Sequence, residues 1–271
     1  MSGLLGVNFN CLKRPIPEGY VLKPGCGNAV HDDLAAIKIH TPINRLRTIV
    51  WVTERDPVDT PWLHIPLFPE EIDRIVDYCT NSPIPVRLAL GPLWEAKWLW
   101  EEGGIDVRNN PFSTSDALVD AYRQSMMALG SRLPEGTEWD LYNEMMMVPG
   151  QMEIARKWIP WASSFCREQG WPHTVSTIID AGRKANTLSS VRAFETYAAV
   201  IDTLRVRLDF LEIHINGLNK EAIAIYLPGI IKSFQKRYWL PVSVGECDVD
   251  LDGPALSALY GAGIRDLLLW R

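Results

Sequence analysis

Eight short β-type runs, separated by segments of helical period, constrain this chain more than any other feature. The runs cover residues 4–9, 46–52, 84–90, 139–143, 174–179, 210–215, 241–245 and 267–270. Between them, apolar residues recur at helical spacing. Pro69 stands at a first helical position ahead of Ile72, Ile75, Val76 and Cys79. A helix over 116–129 has the face Leu118, Tyr122, Met126 and Leu129, with Ser115 as its N-cap and Gly130 just past its end. Ile154, Trp158, Ala162 and Phe165 mark another, with Pro160 inside it and Gly170 closing it, and Val191, Phe194, Ala198 and Ile201 mark the next. Shorter helical patterns cover about 29–39, 221–236 and 254–260, and residues 11–27 read as a long loop with three prolines and three glycines. Runs alternating with helices imply parallel strands joined by crossovers, hence the α/β class. Eight such units predict a (β/α)8 TIM barrel with its active site at the carboxyl ends of the strands. An open doubly wound sheet would carry a glycine-rich turn after its first strand, where this chain has Asn8, Phe9, Asn10 and Cys11.

The 271 residues are read as one domain, 1–271, of which 47% are hydrophobic, enough for a large core. Arg271 stands one residue after the eighth run, so the expected barrel lacks its eighth helix. The flank left between the last and first strands would be closed by neighbouring helices, by a second copy of the chain or by a longer chain, and the reading favours the last two. A net charge of −6 offers no basic field for phosphate backbones, which argues against nucleic acid as a partner. Cysteines at 11, 26, 79, 166 and 247 form no CxxC and no zinc spacing. The N-terminus has no basic and apolar leader pattern, and the apolar stretch 222–231 is too short to span a bilayer. The reading is a soluble protein without membrane contact; its location stays open between the cytoplasm and secretion with a removed signal.

Two strand ends carry candidate chemistry. The fourth run leads into Trp139-Asp140-Leu141-Tyr142-Asn143-Glu144, and the seventh into Val242-Ser243-Val244-Gly245-Glu246. Two carboxyl groups facing one cleft suit glycosidic bond cleavage: one protonates the leaving oxygen while the other attacks the anomeric carbon, at a separation of roughly 5–5.5 Å for retention. Taken singly, a glutamate after a strand is more often a surface or helix-start charge. On the sixth run, Phe210, Glu212, His214 and Asn216 share the face toward the barrel interior, where a carboxylate and an imidazole need partners. A structural network is the plainer reading for Glu212, and a functional one is favoured for His214. Trp94, Trp98 and Trp100 follow the third run, and Trp51 and Trp62 lie near the end of the second; they read as sugar-stacking platforms or as packing of a long loop.

These motifs resemble the clan A (4/7 superfamily) glycoside hydrolases, and are similar to family 5-like retaining β-glycanases. Asn143-Glu144 looks like the Asn-Glu that ends their fourth strand, and Pro241 to Glu246 like the Pro-x-x-x-Gly-Glu of their seventh. Gly6-Val7-Asn8, Asn44-x-x-Arg47, Asp209 to His214 and Leu268-Leu269-Trp270 resemble their first, second, sixth and eighth strands. The resemblance implies Glu144 as acid/base and Glu246 as nucleophile. It further implies Asn143 on the sugar 2-hydroxyl, Arg47 keeping the nucleophile ionised, Trp270 under the sugar and His214 lining the pocket. It departs at Asn216, where the family often has Tyr, and at Leu88-Ala89-Leu90-Gly91, which lacks the family's His.

Other chemistries find little in the sequence: it has no P-loop, GxSxG or HExxH, and His31-Asp32-Asp33 fits a helix start better than a metal. An acidic stretch over 248–252 disfavours phosphorylated substrates. The expectation is a cofactor-free, metal-free retaining hydrolase of β-linked oligo- or polysaccharides. The alternative is a catalytically impaired barrel that binds a glycan without cleaving it.

Overall fold

The structure, a computed structural model, describes residues 4–8, 45–50, 69–82, 84–90, 115–145, 149–178, 187–215, 220–247 and 251–270. Nine strands appear among them: β1 Leu4–Asn8, β2 Arg45–Val50, β3 Val86–Leu90, β4 Glu138–Asp140, β5 His173–Thr174, β6 Ser176–Ile178, β7 Leu211–Ile215, β8 Val242–Cys247 and β9 Asp266–Trp270. Six described helices lie between them: α1 Pro69–Asn81, α2 Ser115–Gly130, α3 Pro149–Gln169, α4 Thr187–Leu204, α5 Lys220–Tyr238 and α6 Gly253–Gly261. The expected helix at 29–39 lies outside the described residues, as do residues 11–27.

All strand pairs are parallel, in the order β5-β4-β3-β2-β1-β9-β8-β7-β6. The first and last strands of the chain are therefore neighbours, with Leu4 opposite Asp266 and Asn8 opposite Trp270. The ends of the order, β5 and β6, are separated in the chain by Val175 alone. They are halves of the single run expected at 174–179: β5 pairs with β4, and β6 with β7. The fourth run is shorter than expected. Regular pairing stops at Asp140, and residues 141–145 form a turn-rich segment.

The helices form where apolar residues fall on one face. Ile72, Ile75 and Cys79 of α1, Tyr122, Met126 and Leu129 of α2, and Ile154, Trp158 and Ala162 of α3 are all buried. They join Leu46, Val86, Leu88, Trp139, Ile213 and Val244 of the strands in one core. Asp252 caps α6 by accepting from Ala255 N at 3.0 Å. Gly170 closes α3 in the left-handed region, as its type predicts, at φ 71. Gly130 serves differently from expectation: it is the last residue of α2, and a Cβ there would press on the Phe165 ring. No described helix is long and apolar enough to cross a membrane.

The opposite face of the sheet is not apolar. Strand alternation puts Arg45 and Arg47, Arg87, Glu138 and Asp140, Glu212 and His214, and Asp266 on it, all buried. Toward the amino ends of the strands, Arg87 donates to Glu138, Glu212 and Asp266 at 2.6–3.0 Å. Arg45 and Arg265 both pair with Glu138. The Arg87 and Arg265 guanidinium groups lie over the Phe210 ring, at 4.5 and 4.2 Å from its centroid. Charges buried this deeply persist only when mutually paired, since stranding one costs several kcal/mol, about 3–5.

Candidate active site

At the carboxyl ends of the strands the same face carries a second cluster, and local backbone devices build it. A register shift between Val244 and Cys247 interrupts the pairing of β8 with β9, and a matching one falls between Ile213 and His214. Such an irregularity re-aims a side chain. The consequence is that consecutive residues face the charged interior: a Cβ on Gly245 would run into the Glu212 side chain, while Glu246 reaches Arg47.

Glu144 is placed by a different device. Its backbone is left-handed, at φ 55, which costs a non-glycine residue roughly 1–2 kcal/mol. Hydrogen bonds from β6 hold it there. The Glu144 amide donates to Ser176 Oγ at 3.0 Å, and Met145 N donates to Ser176 O at 2.8 Å. Ser176 Oγ in turn donates to Asp140 Oδ2 at 2.6 Å, and Ser176 N to Asp140 Oδ1 at 2.9 Å. Trp158 Nε1 donates to Leu141 O at 2.8 Å, tying α3 to the same turn.

Five of the residues singled out in the sequence meet here. Arg47 donates through Nη1 to Glu246 Oε1 at 2.6 Å, and through Nη2 to Asn143 Oδ1 at 2.6 Å and to Asp140 Oδ2 at 2.9 Å. His214 Nδ1 stands 3.0 Å from Glu144 Oε1 and 3.6 Å from Glu246 Oε1. One carboxylate oxygen of Glu144 and one of Glu246 lie within 4.8 Å of each other. Arg47 and His214 are fully buried, whereas the Glu144 and Glu246 side chains keep 20% and 8% of their surface exposed. The carboxylates are the accessible members of the cluster.

The electrostatics follow from that packing. Burial works against a charged imidazole, but Glu246, with hydrogen bonds to Glu144 and Glu212, outweighs burial and Arg47 and pushes the His214 pKa up to about 10. His214 is a cation at neutral pH. Burial raises the Glu144 carboxyl, yet the hydrogen bond and charge of His214 leave it below the ordinary carboxylate range. Asp140 is pushed up, first by burial and then by the like charge of Glu212. Burial works against the Arg47 guanidinium, but Glu246, Glu212 and Asp140 outweigh it, and its pKa lies above the ordinary value.

Glu144, His214 and Glu246, and also Asp140, Glu212 and His214, lie as close together as metal ligands do. The donor set argues against that use. A metal needs the lone pair of a neutral imidazole, and here both ring nitrogens of His214 are engaged by carboxylates, so a metal would have to displace one of those contacts.

The remaining predicted residues are not brought into view. Asn216, Trp94 and Trp98 lie outside the described residues, as do Trp51, Trp62 and Trp100. Trp270 ends β9 beside Asn8 of β1, and its side chain is not among those described. Sequence reasoning missed Ser176 and the support role of Asp140. It also missed Arg87, Glu138 and Asp266. A signal existed: charged residues two apart on a strand, as in Arg45-x-Arg47, Glu138-x-Asp140 and Glu212-x-His214, share one face.

No family model matches the chain, and no curated protein does. Solved structures share its fold. A trimodular endoglucanase of the GH5_4 subfamily matches with a TM-score of 0.61 at 13% identity, over 98% of this chain and 55% of its own. The clostridial cellulose synthase subunit Z of Clostridioides difficile matches at 0.59 with 13% identity, over 100% and 92%. A family 5 xyloglucanase of Paenibacillus pabuli matches at 0.56 with 13% identity, over 98% and 89%.

Proposed function

We propose that this chain is a retaining glycoside hydrolase acting on β-linked glycosides or polysaccharides within a closed (β/α)8 barrel, with Glu246 as nucleophile and Glu144 as acid/base. The observation that carries the reading is the convergence of two carboxylates, Glu144 partly exposed and Glu246 nearly buried, with oxygens within 4.8 Å of each other, around one buried imidazole. Supporting it are the resemblance of the strand-end motifs and a fold shared with chains described as an endoglucanase and a xyloglucanase. The barrel closes if β5 and β6 act as one strand that pairs on both sides.

In the first step the Glu246 carboxylate attacks the anomeric carbon, the bond to the leaving oxygen breaks, and Glu144 gives that oxygen its proton. Arg47 aims Glu246 by the 2.6 Å hydrogen bond. In the second step Glu144 takes a proton from water, whose oxygen attacks the same carbon and frees Glu246. Asn143, fixed by Arg47, presents its amide to the sugar 2-hydroxyl.

The pairing of Glu144 with His214 bears directly on the acid step. A carboxyl held as carboxylate has no proton to give. Among the described residues, the nearest one is on His214 Nδ1, 3.0 Å away. Its transfer, as substrate displaces solvent and weakens the ion pair, leaves a neutral imidazole and a protonated Glu144. The same pairing favours a second reading, a glycan-binding barrel in which the transfer does not occur.

A panel of aryl β-glycosides with β-glucan, mannan and xylan separates the two. Turnover in the wild type is expected. Glu246→Ala is expected to abolish it, and azide to restore release of the aryl group with an inverted glycosyl azide as product. Binding without turnover across the panel selects the second reading.

A further inference from the structure

Beneath Glu144 and Glu246, one carboxylate touches the partners of both. Glu212 of β7 is fully buried. Its Oε1 stands 2.9 Å from Arg47 Nε and 3.3 Å from His214 Nε2, and its Oε2 accepts from Arg87 Nη1 at 2.6 Å. Arg47 is the donor to Glu246, and His214 is the partner of Glu144. Each candidate catalytic carboxylate is therefore one side chain away from Glu212.

The strand beside it is shaped to admit this side chain. A Cβ on Gly245 would fall inside the van der Waals radii of Glu212 Oε1, Cδ and Cγ. Only a residue without a side chain lets Glu212 pass under β8 at the position just before Glu246. The glycine of the Gly-Glu pair thus has a specific tenant, and the tenant is an anion.

We infer that Glu212 is a positioning residue: seated against Gly245, it orients Arg47 toward Glu246 and His214 toward Glu144 at the same time. Its catalytic meaning rests on the hydrolase reading above; the positioning itself does not. Charge is essential to the device, because three cationic groups face the two oxygens: Arg87 and His214 within hydrogen-bond geometry and Arg47 as an ion pair. A glutamine of the same volume would turn an N–H₂ group toward one of them and release it. With one anchor lost, a displacement of about 1 Å at a reacting group suffices for a loss of ~100-fold.

The test uses the full chain and the variants Glu212→Gln, Glu212→Asp and Gly245→Ala, each first checked for folding by circular dichroism. The first readout needs no substrate. NMR of the ring-labelled histidines follows His214, which is faced by Glu144, Glu212 and Glu246, by Asp140 and by Arg47. Glu212→Gln and Gly245→Ala are expected to lower its titration midpoint toward neutral pH, whereas Glu212→Asp keeps most of it. The second readout is kinetic. Glu212→Gln is expected to lower kcat by ~10–100-fold with KM within about threefold, and to move the pH–rate limbs, and Glu212→Asp to recover part of kcat.

Folded variants whose His214 titrates as in the wild type would overturn the inference. So would failure of all three to fold, which would make Glu212 a folding residue only. A wild type that cleaves no glycoside would remove the hydrolase reading and leave the titration to decide the positioning.

Discussion

Two ionic clusters share the charged face of this sheet, and they are balanced in opposite ways. Toward the amino ends, Arg45, Arg87 and Arg265 surround Glu138 and Asp266, and both carboxylates are nearly or wholly inaccessible. Toward the carboxyl ends, Arg47 and His214 face Asp140, Glu144 and Glu246. Glu212 lies between and serves both. Among the described residues, the lower cluster has a surplus of cations, and its most accessible member is Arg265. The upper one has, among the described residues, a surplus of carboxylates, of which Glu144 and, to a small extent, Glu246 reach the surface. The residue types are alike; on the proposed reading, the balance and the exposed member separate a cluster that holds the fold from one that acts on a substrate.

The comparison breaks if the two clusters respond alike to substitution. The largest effect is expected at Glu246. Alanine there should reduce turnover of an aryl glycoside by a factor on the order of 10⁵ in steady-state assays. The fold should hold, because Arg47 keeps Asp140, Asn143 and Glu212. Next comes Arg87→Met in the lower cluster. It removes the one cation shared by Glu138, Glu212 and Asp266 and leaves each with weaker pairing in a buried place, so denaturant unfolding should show a loss of about 3–5 kcal/mol. If Arg87→Met were neutral for stability, the lower cluster would not be the structural one.

A subtler contrast is pH. The folded-state pKa of His214 is raised to about 10, above an unfolded value of ~6.5. Its contribution to stability is fully present below about pH 6.5 and is lost as pH rises through about 10. Thermal melts across that window should show a falling Tm, and His214→Asn should flatten the fall. The smallest effect is expected at the surface. Arg132 pairs with Asp73 at 2.6 Å, but both side chains are well exposed. Arg132→Ala should therefore cost about 0–1 kcal/mol in the same unfolding experiment.

Much of this was legible in the sequence, for physical reasons that can be named. Period-two and helical patterns gave the strand and helix positions because one face of each element had to be apolar. The runs at 84–90 and 210–215 hold as β3 and β7 within a residue or two at their starts. Pairing geometry was less visible. The run at 174–179 divides at Val175 because its lower half pairs with β4 and its upper half with β7, which residue type alone does not encode. Glu144 and Glu246 were singled out by their place after a strand. The left-handed backbone of Glu144 was not, since nothing local marks it; the hydrogen bond to Ser176, 32 positions on, imposes it. The lower cluster escaped notice because the expected filling of a barrel is branched and apolar. Arg87, Glu138 and Asp266 look like exposed charges until all their partners are seen together.

The most direct test of the central claim is covalent trapping. The chain would be incubated with a panel of aryl 2-deoxy-2-fluoro-β-glycosides, which slow both displacements, and then digested for mass spectrometry. The account predicts a gain of one fluoroglycosyl group on the peptide that carries Glu246, prevented by Glu246→Ala. A label on another carboxylate would contradict it. So would no label at all from the fluoro analogue of an aryl glycoside that the chain is found to turn over.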